Sequence, residues 1–282
     1  MNKQNSMFKP TAKAFVFLVF ACLAAGHASA QYWYANPDAS GADWRDYFKN
    51  FNTEDNGGTT PTVSIVNNST YGNVWRINKP AGAKRAEFSR AQLSSVDYNF
   101  VAGNTYYIGF RFRADVLNNI TLEDDDVTVF QWKSAGSGMM QNYPFNMEWN
   151  PKTKEYCLNL YGPTTTGQSQ SSRKATVWKS TLNENQWVTI VIGFKFSTDP
   201  GDGWVSLWKN GSKQTLSNVE TGSNYSISTF GDSNRKAYHR TKDGSYTYPK
   251  WGAYNESSRK YNLNVELSDL RIDTSYSSAR PQ

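Results

Sequence analysis

The chain has 282 residues, a formal net charge of +6 at pH 7, two cysteines and two histidines. Its Lys and Arg residues are interleaved with acids and form no basic run, so nucleic acid is not expected as a partner. Beyond residue 30 only Cys157 and His239 remain of these two types. That part of the chain therefore excludes an intrachain disulfide and gives little support to a Ser-His-Asp triad or a multi-histidine metal site.

The first thirty residues have the pattern of a secretory signal peptide. A positively charged start precedes a short apolar run over 14–25, which is too short to span a bilayer, and small residues at 28–30 suit a cleavage site. We therefore expect a signal peptide over 1–30, a single domain over 31–282, and secretion to the periplasm or beyond. A membrane anchor and a lipoprotein are the less favoured alternatives.

Short segments of alternating apolar and polar residues follow, separated by Gly, Asn, Asp, Ser and Pro, as is typical of strands and turns. Asn210-Gly211 is a strong hairpin signal. So many short strands without a long amphipathic helix predict an all-β antiparallel jelly roll, a lectin-like two-sheet sandwich. By analogy with such folds, we expect the last strand to pair near the first. The segments are 63–66, 74–78, 84–90, 105–114, 127–133, 145–149, 156–161, 187–196, 204–209, 248–255 and 262–272.

Three of these segments carry polar side chains on one face and apolar ones on the other, because side chains alternate along a strand. If the three strands lie in one concave sheet, their polar side chains line one groove. Gly252, on the same face, would leave a flat spot where a sugar ring approaches the backbone. The polar side chains are Arg85 and Glu87, Gln131 and Lys133, and Tyr248, Lys250 and Tyr254.

These residue types suit cleavage of a uronate polymer by β-elimination. The proton on C5, beside the carboxylate, becomes removable when the carboxylate charge is neutralised and the developing anion is stabilised. Gln131, Arg85 or Lys133 can do that. A base then takes the proton and an acid protonates the departing glycosidic oxygen. Tyr254, on the face that carries Lys250, is the candidate for proton transfer, and no metal or other cofactor is required.

At these residues the sequence resembles the jelly-roll alginate lyases, which carry the blocks R-T-E-L-R, Q-I-H and Y-F-K-x-G-x-Y. The corresponding stretches are 85–90, 131–133 and 248–254, in the same order over about 170 residues. The resemblance implies that Tyr254 is the catalytic acid/base and that Gln131 neutralises the uronate carboxylate. The first stretch has an extra residue before its last arginine, which leaves the direction of that side chain open.

Lys133 stands where the alginate lyases have histidine. The pairing of lysine with tyrosine looks most like the jelly-roll ulvan lyases, which use both as catalytic residues. The resemblance therefore implies that Lys133, Tyr254 and Gln131 are catalytic. It also implies that the substrate is ulvan, a sulfated rhamnose–uronate polymer, which is cleaved internally. The related glucuronan and alginate lyases supply the alternative substrates, and the heparin-I lyases share the scaffold.

The remaining candidates are residues expected to contact the anionic polymer. His239 precedes the third block in a basic stretch, and either contacts substrate or is an ordinary loop residue. The arginines and lysines outside the three blocks suit a sulfate, but they equally suit a solvated face. The predicted substrate-binding residues are Arg85, Glu87, Lys250, His239, Arg240, Tyr248 and Arg111, with Arg113, Arg235 and Lys236 as further cations.

Two other classes stay open. A non-catalytic lectin-like module would use the aromatic residues, which are 15% of the chain, but would not need Lys250 with Tyr254. A jelly-roll glycoside hydrolase would need two facing carboxylates, and only Glu87 and Glu148 are well placed on strand faces. The acidic run 123–126 is either a solvated turn or a structural Ca²⁺ site. We expect a monomer that binds an anionic polysaccharide, with no nucleic acid or membrane partner.

Overall fold

The computed structural model describes residues 32–54, 59–118, 120–165, 167–255 and 260–282. The predicted signal peptide over 1–30 lies outside these residues. Within the described part, helix is confined to three short turns, Trp44–Asp46, Ser171–Arg173 and Tyr276–Ala279. The strands are β1 Trp33–Ala35, β2 Phe48–Glu54, β3 Thr62–Asn68, β4 Gly72–Lys79, β5 Arg85–Leu93, β6 Val96–Asp97, β7 Thr105–Val116, β8 Val127–Ala135, β9 Phe145–Asn150, β10 Glu155–Tyr161, β11 Lys174–Thr181, β12 Val188–Lys195, β13 Trp204–Lys209, β14 Ser212–Lys213, β15 Glu220–Thr221, β16 Phe230–Gly231, β17 Lys236–Tyr238, β18 Tyr246–Tyr254 and β19 Leu263–Asp273.

The strands form two antiparallel sheets that pack face to face. The first has the order β16-β17-β13-β12-β7-β19-β4-β3, with β1 beside β19 and β14 beside β13. The second has the order β15-β11-β10-β9-β8-β18-β5-β2, with β6 beside β5. Neighbours in these lists are not consecutive in the chain at several points, which is the crossover pattern of a jelly roll. The predicted all-β two-sheet sandwich is confirmed.

Two local predictions are also confirmed. β1 pairs with β19, so the last strand does return beside the first. Asn210 and Gly211 link β13 to β14 with φ values of 50° and 82°, the left-handed pair that a tight hairpin turn requires.

β2 and β11 were not predicted. In β2 only Phe48 is fully buried, so the apolar alternation that marks a strand is missing from its sequence.

The core between the sheets is largely aromatic. The apolar faces of the predicted polar strands all point into it, with Phe88, Trp132 and Trp251 fully buried. Trp33 of the first sheet stacks on Trp251 of the second, with 5.6 Å between the ring centroids. Each large apolar side chain buried in this way contributes about 1.5–3 kcal/mol relative to an exposed one. This burial fixes which face of the second sheet is left for polar groups.

Gly252 has a different role from the one predicted. It is buried at a register shift in β18, with φ of 146°. A Cβ atom at this position would lie 2.2 Å from the carbonyl oxygen of Ala86. The glycine therefore permits close approach of β5, and it offers no open surface to a sugar ring. Among the described residues no helix is both long and apolar enough to cross a bilayer.

Candidate active site

The three polar strand faces form one continuous surface, because β8, β18 and β5 are adjacent in the second sheet. We call this surface the polar face. Its layout follows from the register, since side chains of paired residues on one face stand about 5 Å apart. The pairs are Tyr248 with Lys133, Lys250 with Gln131 and Ser89, Glu87 with Gly252, and Arg85 with Tyr254.

Glu87 lies at the centre of the polar face and is only 1% exposed. Its Oε2 atom lies 2.6 Å from Lys250 Nζ and 3.2 Å from Arg85 Nε. Its Oε1 atom accepts a hydrogen bond of 2.7 Å from Gln131 Nε2. Burial lowers the pKa of Lys250, although the Glu87 carboxylate opposes that shift. Glu87 therefore orders two cations and an amide, and these three residues and Glu87 itself were all predicted for this site.

Lys133 is the titratable group best matched to proton transfer near neutral pH. Burial, followed by the charges of Lys250 and Arg85, lowers its pKa to about 8. Its Nζ atom donates to the backbone oxygen of Asn142 over 3.1 Å and also to the Asn142 side-chain oxygen. A lysine in this state loses its proton readily in the working range of an enzyme.

A buried carboxylate, that of Asp243, holds the loop that carries Asn142 in place. Asp243 accepts hydrogen bonds from the backbone N–H groups of Met140, at 2.9 Å, and Gln141, at 2.7 Å. Arg240 pairs with Asp243 at 3.1 Å. Sequence reasoning missed Asn142, because a single loop asparagine carries no pattern; only the fold brings it to Lys133.

Tyr248 is the tyrosine next to Lys133. It lies opposite Lys133 in the register of β18 and β8. The Arg90 guanidinium carbon lies 4.6 Å from its ring centroid and 4.7 Å from that of Tyr246. Burial raises the pKa of Tyr248, with Arg90 acting in the opposite direction. The Tyr248 phenol therefore keeps its proton at neutral pH, and it stands beside a lysine that loses its own easily.

A backbone irregularity brings Arg90 to this face. Phe88 and Ala91 both point into the core, so Ser89 and Arg90 must both point away from it. Arg90 achieves this with φ of 61°, in the left-handed region that non-glycine residues seldom adopt. The extra residue seen in the sequence is absorbed here, and it turns the Arg90 side chain onto the tyrosines of β18.

Tyr254 lies at the opposite end of the polar face from Lys133. It is six residues beyond Tyr248 in β18, which corresponds to roughly 20 Å along a strand. The Arg85 guanidinium carbon stands 4.6 Å from its ring centroid. The structure therefore does not bring together the predicted catalytic pair of Lys133 and Tyr254; it brings Lys133 to Tyr248.

Glu148 organises the part of the second sheet beyond β8. Its carboxylate oxygens accept hydrogen bonds from Asn146 at 2.8 Å, Asn159 at 2.6 Å and Lys174 at 2.9 Å. Glu148 and Glu87 are separated by three strand spacings, β9 to β5, or roughly 14 Å. Glycoside hydrolases need catalytic carboxylates about 5–9.5 Å apart, so this pair does not fit the hydrolase alternative.

His239 is not a substrate contact. It is 1% exposed, and burial lowers the pKa of its ring to about 4. Its Nε2–H donates to the carbonyl oxygen of Pro144 at 2.9 Å, so Nδ1 accepts the hydroxyl proton of Tyr225 at 2.7 Å. The imidazole is thus a neutral, buried link between two loops, which corrects the prediction of a substrate-binding role.

Three of the predicted cations outside the three blocks lie in the first sheet, Arg111 and Arg113 on β7 and Lys236 on β17. Arg111 is on β7 in the other sheet, where it pairs with Asp269 and is 7% exposed. Arg113 neighbours it on β7 and pairs with Glu266. Arg240 belongs to the support of the Asn142 loop described above. The prediction that Arg111 binds substrate is therefore wrong, because the buried carboxylate of Asp269 neutralises its charge.

The acidic run 123–126 is tied into the fold by amides. Asn150 Nδ2 donates to Asp124 at 2.8 Å and to Asp126 at 3.1 Å, and Asn255 Nδ2 donates to Asp125 at 3.0 Å. Among the described residues no three His, Cys, Asp or Glu side chains are grouped as metal ligands. Residues 121–126 have irregular backbone with a bend at Asp124, and in the described part of the chain they offer no grouped ligand set for a Ca²⁺ ion.

The protein is thus a lectin-like jelly-roll sandwich, and the polar face of its second sheet is lined by cations, amides and tyrosines. The sequence profile of the polysaccharide lyase family matches residues 45–267. This is most of the chain, which therefore belongs to that family and is a polysaccharide lyase. A search of curated protein sequences finds no significant match.

Solved structures with a similar fold include other lyases. The endo-β-1,4-glucuronan lyase from the fungus Trichoderma reesei has a TM-score of 0.57 at 12% identity, covering 90% of this chain and 99% of that chain. Alginate lyase Aly36B in complex with an alginate trisaccharide has a TM-score of 0.45 at 11% identity, over 87% and 99% of the two chains. Alginate lyase vAL-1 from Chlorella virus has 0.42 at 13% identity, over 79% and 92%. At 12% identity the comparison with the glucuronan lyase bears on the fold alone.

Proposed function

We propose that this polysaccharide lyase is secreted and cleaves a uronate-containing anionic polymer internally by β-elimination, with Lys133 and Tyr248 as the proton-transfer pair. The observation that carries the proposal is the pairing of these two residues across β8 and β18. One has its pKa lowered to about 8 and the other has its pKa raised. Two neighbouring groups whose environments shift their pKa values in opposite directions suit a base and an acid.

The proposed reaction divides the work between them. Neutral Lys133 takes the C5 proton through its nitrogen lone pair, and the C–H electrons form the C4–C5 double bond. The C4–O4 bond breaks, and the Tyr248 hydroxyl gives its proton to the departing O4. One product then carries an unsaturated uronate and the other a free hydroxyl. Each catalyst finishes with the opposite protonation state, so one proton must pass back through solvent before the next turnover.

Neutralisation of the substrate carboxylate is assigned to Gln131 and Arg90. Gln131 is two residues from Lys133 on the same face of β8, roughly 7 Å away along the strand. Arg90 lies over the Tyr248 ring. A carboxylate bound between them would place its C5 proton near Lys133. Fixed donors of this kind stabilise the enolate-like charge that develops as the proton leaves.

The proposed substrate is ulvan, with glucuronan as the second candidate and alginate after it. The support for ulvan is the lysine at position 133, where the alginate-lyase pattern has histidine. Glucuronan is kept because it presents the same uronate group to Lys133 and Tyr248, and because a glucuronan lyase shares the fold. The lectin-like alternative has no use for a lysine with a lowered pKa beside a tyrosine, and so is less well supported.

The experiment is a side-by-side assay of the purified protein on ulvan, glucuronan, alginate and heparin. We expect new ultraviolet-absorbing unsaturated ends on ulvan, with polymer viscosity falling early, as internal cleavage requires. Lys133→Met serves as the inactive control, because loss of a proton-transfer group costs about 10²–10⁴-fold in rate. Saturated ends alone would show a hydrolase. Binding without new ends would favour the lectin-like module, and clear preference for alginate would overturn the substrate assignment.

A further inference from the structure

A cavity of about 670 Å³ adjoins the proposed catalytic pair and has Tyr248 and Arg90 in its wall. It exists because β5 and β18 separate. Their pairing ends at Lys250 and Ser89, while residues 246–249 of β18 continue to pair only with β8. The gap is closed on its far side by the hairpin of β5 and β6, whose turn residues Ser94 and Ser95 have φ values of 49° and 68°.

The cavity is lined by both aromatic and cationic groups. Tyr246 is 45% exposed, and an exposed aromatic ring is a surface on which a sugar can stack. Arg90 and Lys242 also line the cavity, and Asp97 is the one acidic lining residue among those that the structure describes. Asp97 is shared between Arg90 at 3.1 Å and Lys49 at 3.0 Å. Two cations and one carboxylate therefore line the cavity, which carries a positive excess that favours an anion.

The size of the cavity also suits a ligand. An aromatic-lined cavity of this volume with a few polar groups is within the usual range for a small-molecule site, about 300–1,000 Å³.

We propose that this cavity is a subsite for the sugar residue next to the cleaved bond, and that it selects a residue bearing an anionic group. The proposal rests on the function assigned to Lys133 and Tyr248, because Tyr248 lines the cavity and so fixes its distance from the reacting sugar. The anionic group is either a sulfate ester or a second uronate carboxylate. Lys242 would pair with it while the ring stacks on Tyr246, and the nearby charge of Arg90 would add to the attraction.

The test changes the charge of the cavity wall without touching the proposed catalysts. Val96 lines the cavity and is 68% exposed, so Val96→Asp adds a negative charge and Val96→Asn is its matched neutral control. We expect Val96→Asp to raise KM on ulvan about fivefold, with kcat nearly unchanged and the effect fading at high salt. Val96→Asn should stay near wild type. Equal KM values for the Asp and Asn variants would overturn the proposal.

Desulfated ulvan and glucuronan distinguish the two anionic groups. If the KM increase of Val96→Asp disappears on desulfated ulvan, the subsite recognises sulfate. If the increase persists on desulfated ulvan and on glucuronan, the subsite recognises a carboxylate. Lys242→Gln should raise KM on the same polymers as Val96→Asp. Should Lys242→Gln leave KM unchanged on all of them, the cation pairing would be refuted.

If the wild-type protein cleaves none of the polymers, the proposed reaction fails by itself. The subsite is then tested through the Kd of ulvan oligosaccharides for the wild-type, Val96→Asp and Val96→Asn proteins, measured by calorimetry, where equal Kd values would refute it.

Discussion

Lys133 and Tyr248 face each other across adjacent strands, with the lysine bound to Asn142 and the tyrosine beneath Arg90. Their environments act in opposite directions. Burial and the charges of Lys250 and Arg85 disfavour the lysine cation, while burial of the phenol disfavours its anion. At neutral pH the pair can therefore present one basic nitrogen and one acidic hydroxyl side by side on the polar face.

The two tyrosines at the ends of β18 give the most direct test of this arrangement. Tyr248→Phe removes the hydroxyl beside Lys133, and we expect the rate of unsaturated-end formation to fall by about 10²–10⁴. Tyr254→Phe makes the same chemical change roughly 20 Å away, and we expect kcat to stay within a few-fold of wild type. Initial rates and Tm of both variants check this. Loss of activity in Tyr254→Phe alone would return the catalytic role to Tyr254.

The pH dependence of the rate should report on Lys133. A base must be neutral, so kcat/KM should rise with pH and level off above a midpoint near the pKa of about 8. Asn142→Asp places a carboxylate at the Lys133 ammonium and should move that midpoint upward by about one unit or more. The other charges around Lys133, namely Lys250, Arg85, Glu87 and Arg90, are unchanged in this variant.

Asn142→Ala is the matched control for that experiment. It removes the hydrogen bond from the side-chain oxygen without adding charge, so it should lower kcat with a smaller displacement of the midpoint. A rate that falls, rather than rises, through pH 8 would mean that Lys133 acts as the acid and Tyr248 as the base.

Glu87 should contribute mainly to stability and order. It is 1% exposed and binds Lys250, Arg85 and Gln131. Glu87→Gln leaves a buried ammonium without its counter-charge, and we expect a loss of about 3 kcal/mol in the free energy of unfolding. Glu54→Gln, which removes an exposed partner of Arg85, should cost less than about 1 kcal/mol. Denaturant unfolding of both variants measures the difference, and similar losses would contradict it.

His239 should make the fold sensitive to acid. Its pKa is lowered from 6.5 to about 4 by burial, so the unfolded chain binds a proton between these values while the folded chain does not. Stability is therefore complete above pH 6.5 and decreases as the pH falls toward 4, by on the order of 3 kcal/mol.

His239→Gln is the variant that isolates this effect. It should lower Tm at pH 7.5, because the links to Tyr225 and Pro144 are weakened, but it should flatten the dependence of Tm on pH between 6.5 and 4. A slope equal to that of wild type in this range would show that other groups cause the acid sensitivity.

The sequence alone determined the properties that depend on neighbouring residues. Alternation with period two is local, so it identified the core faces at Phe88, Trp132 and Trp251 and the opposite polar faces. The hairpin at Asn210-Gly211 is local for the same reason. Together these features predicted the sandwich, which the structure confirms, and the residues of the candidate site, including Lys133, Gln131, Glu87 and Lys250.

Only the tertiary structure decided which of those groups meet. Register between strands is a non-local property, set by the packing of the whole sheet, and it placed Tyr248 rather than Tyr254 beside Lys133. The left-handed backbone at Arg90 and the loop position of Asn142 likewise leave no periodic trace in the sequence. Arg111 and His239 read as free polar groups along the chain, but Asp269 and Pro144, which bind them in the fold, are distant in sequence.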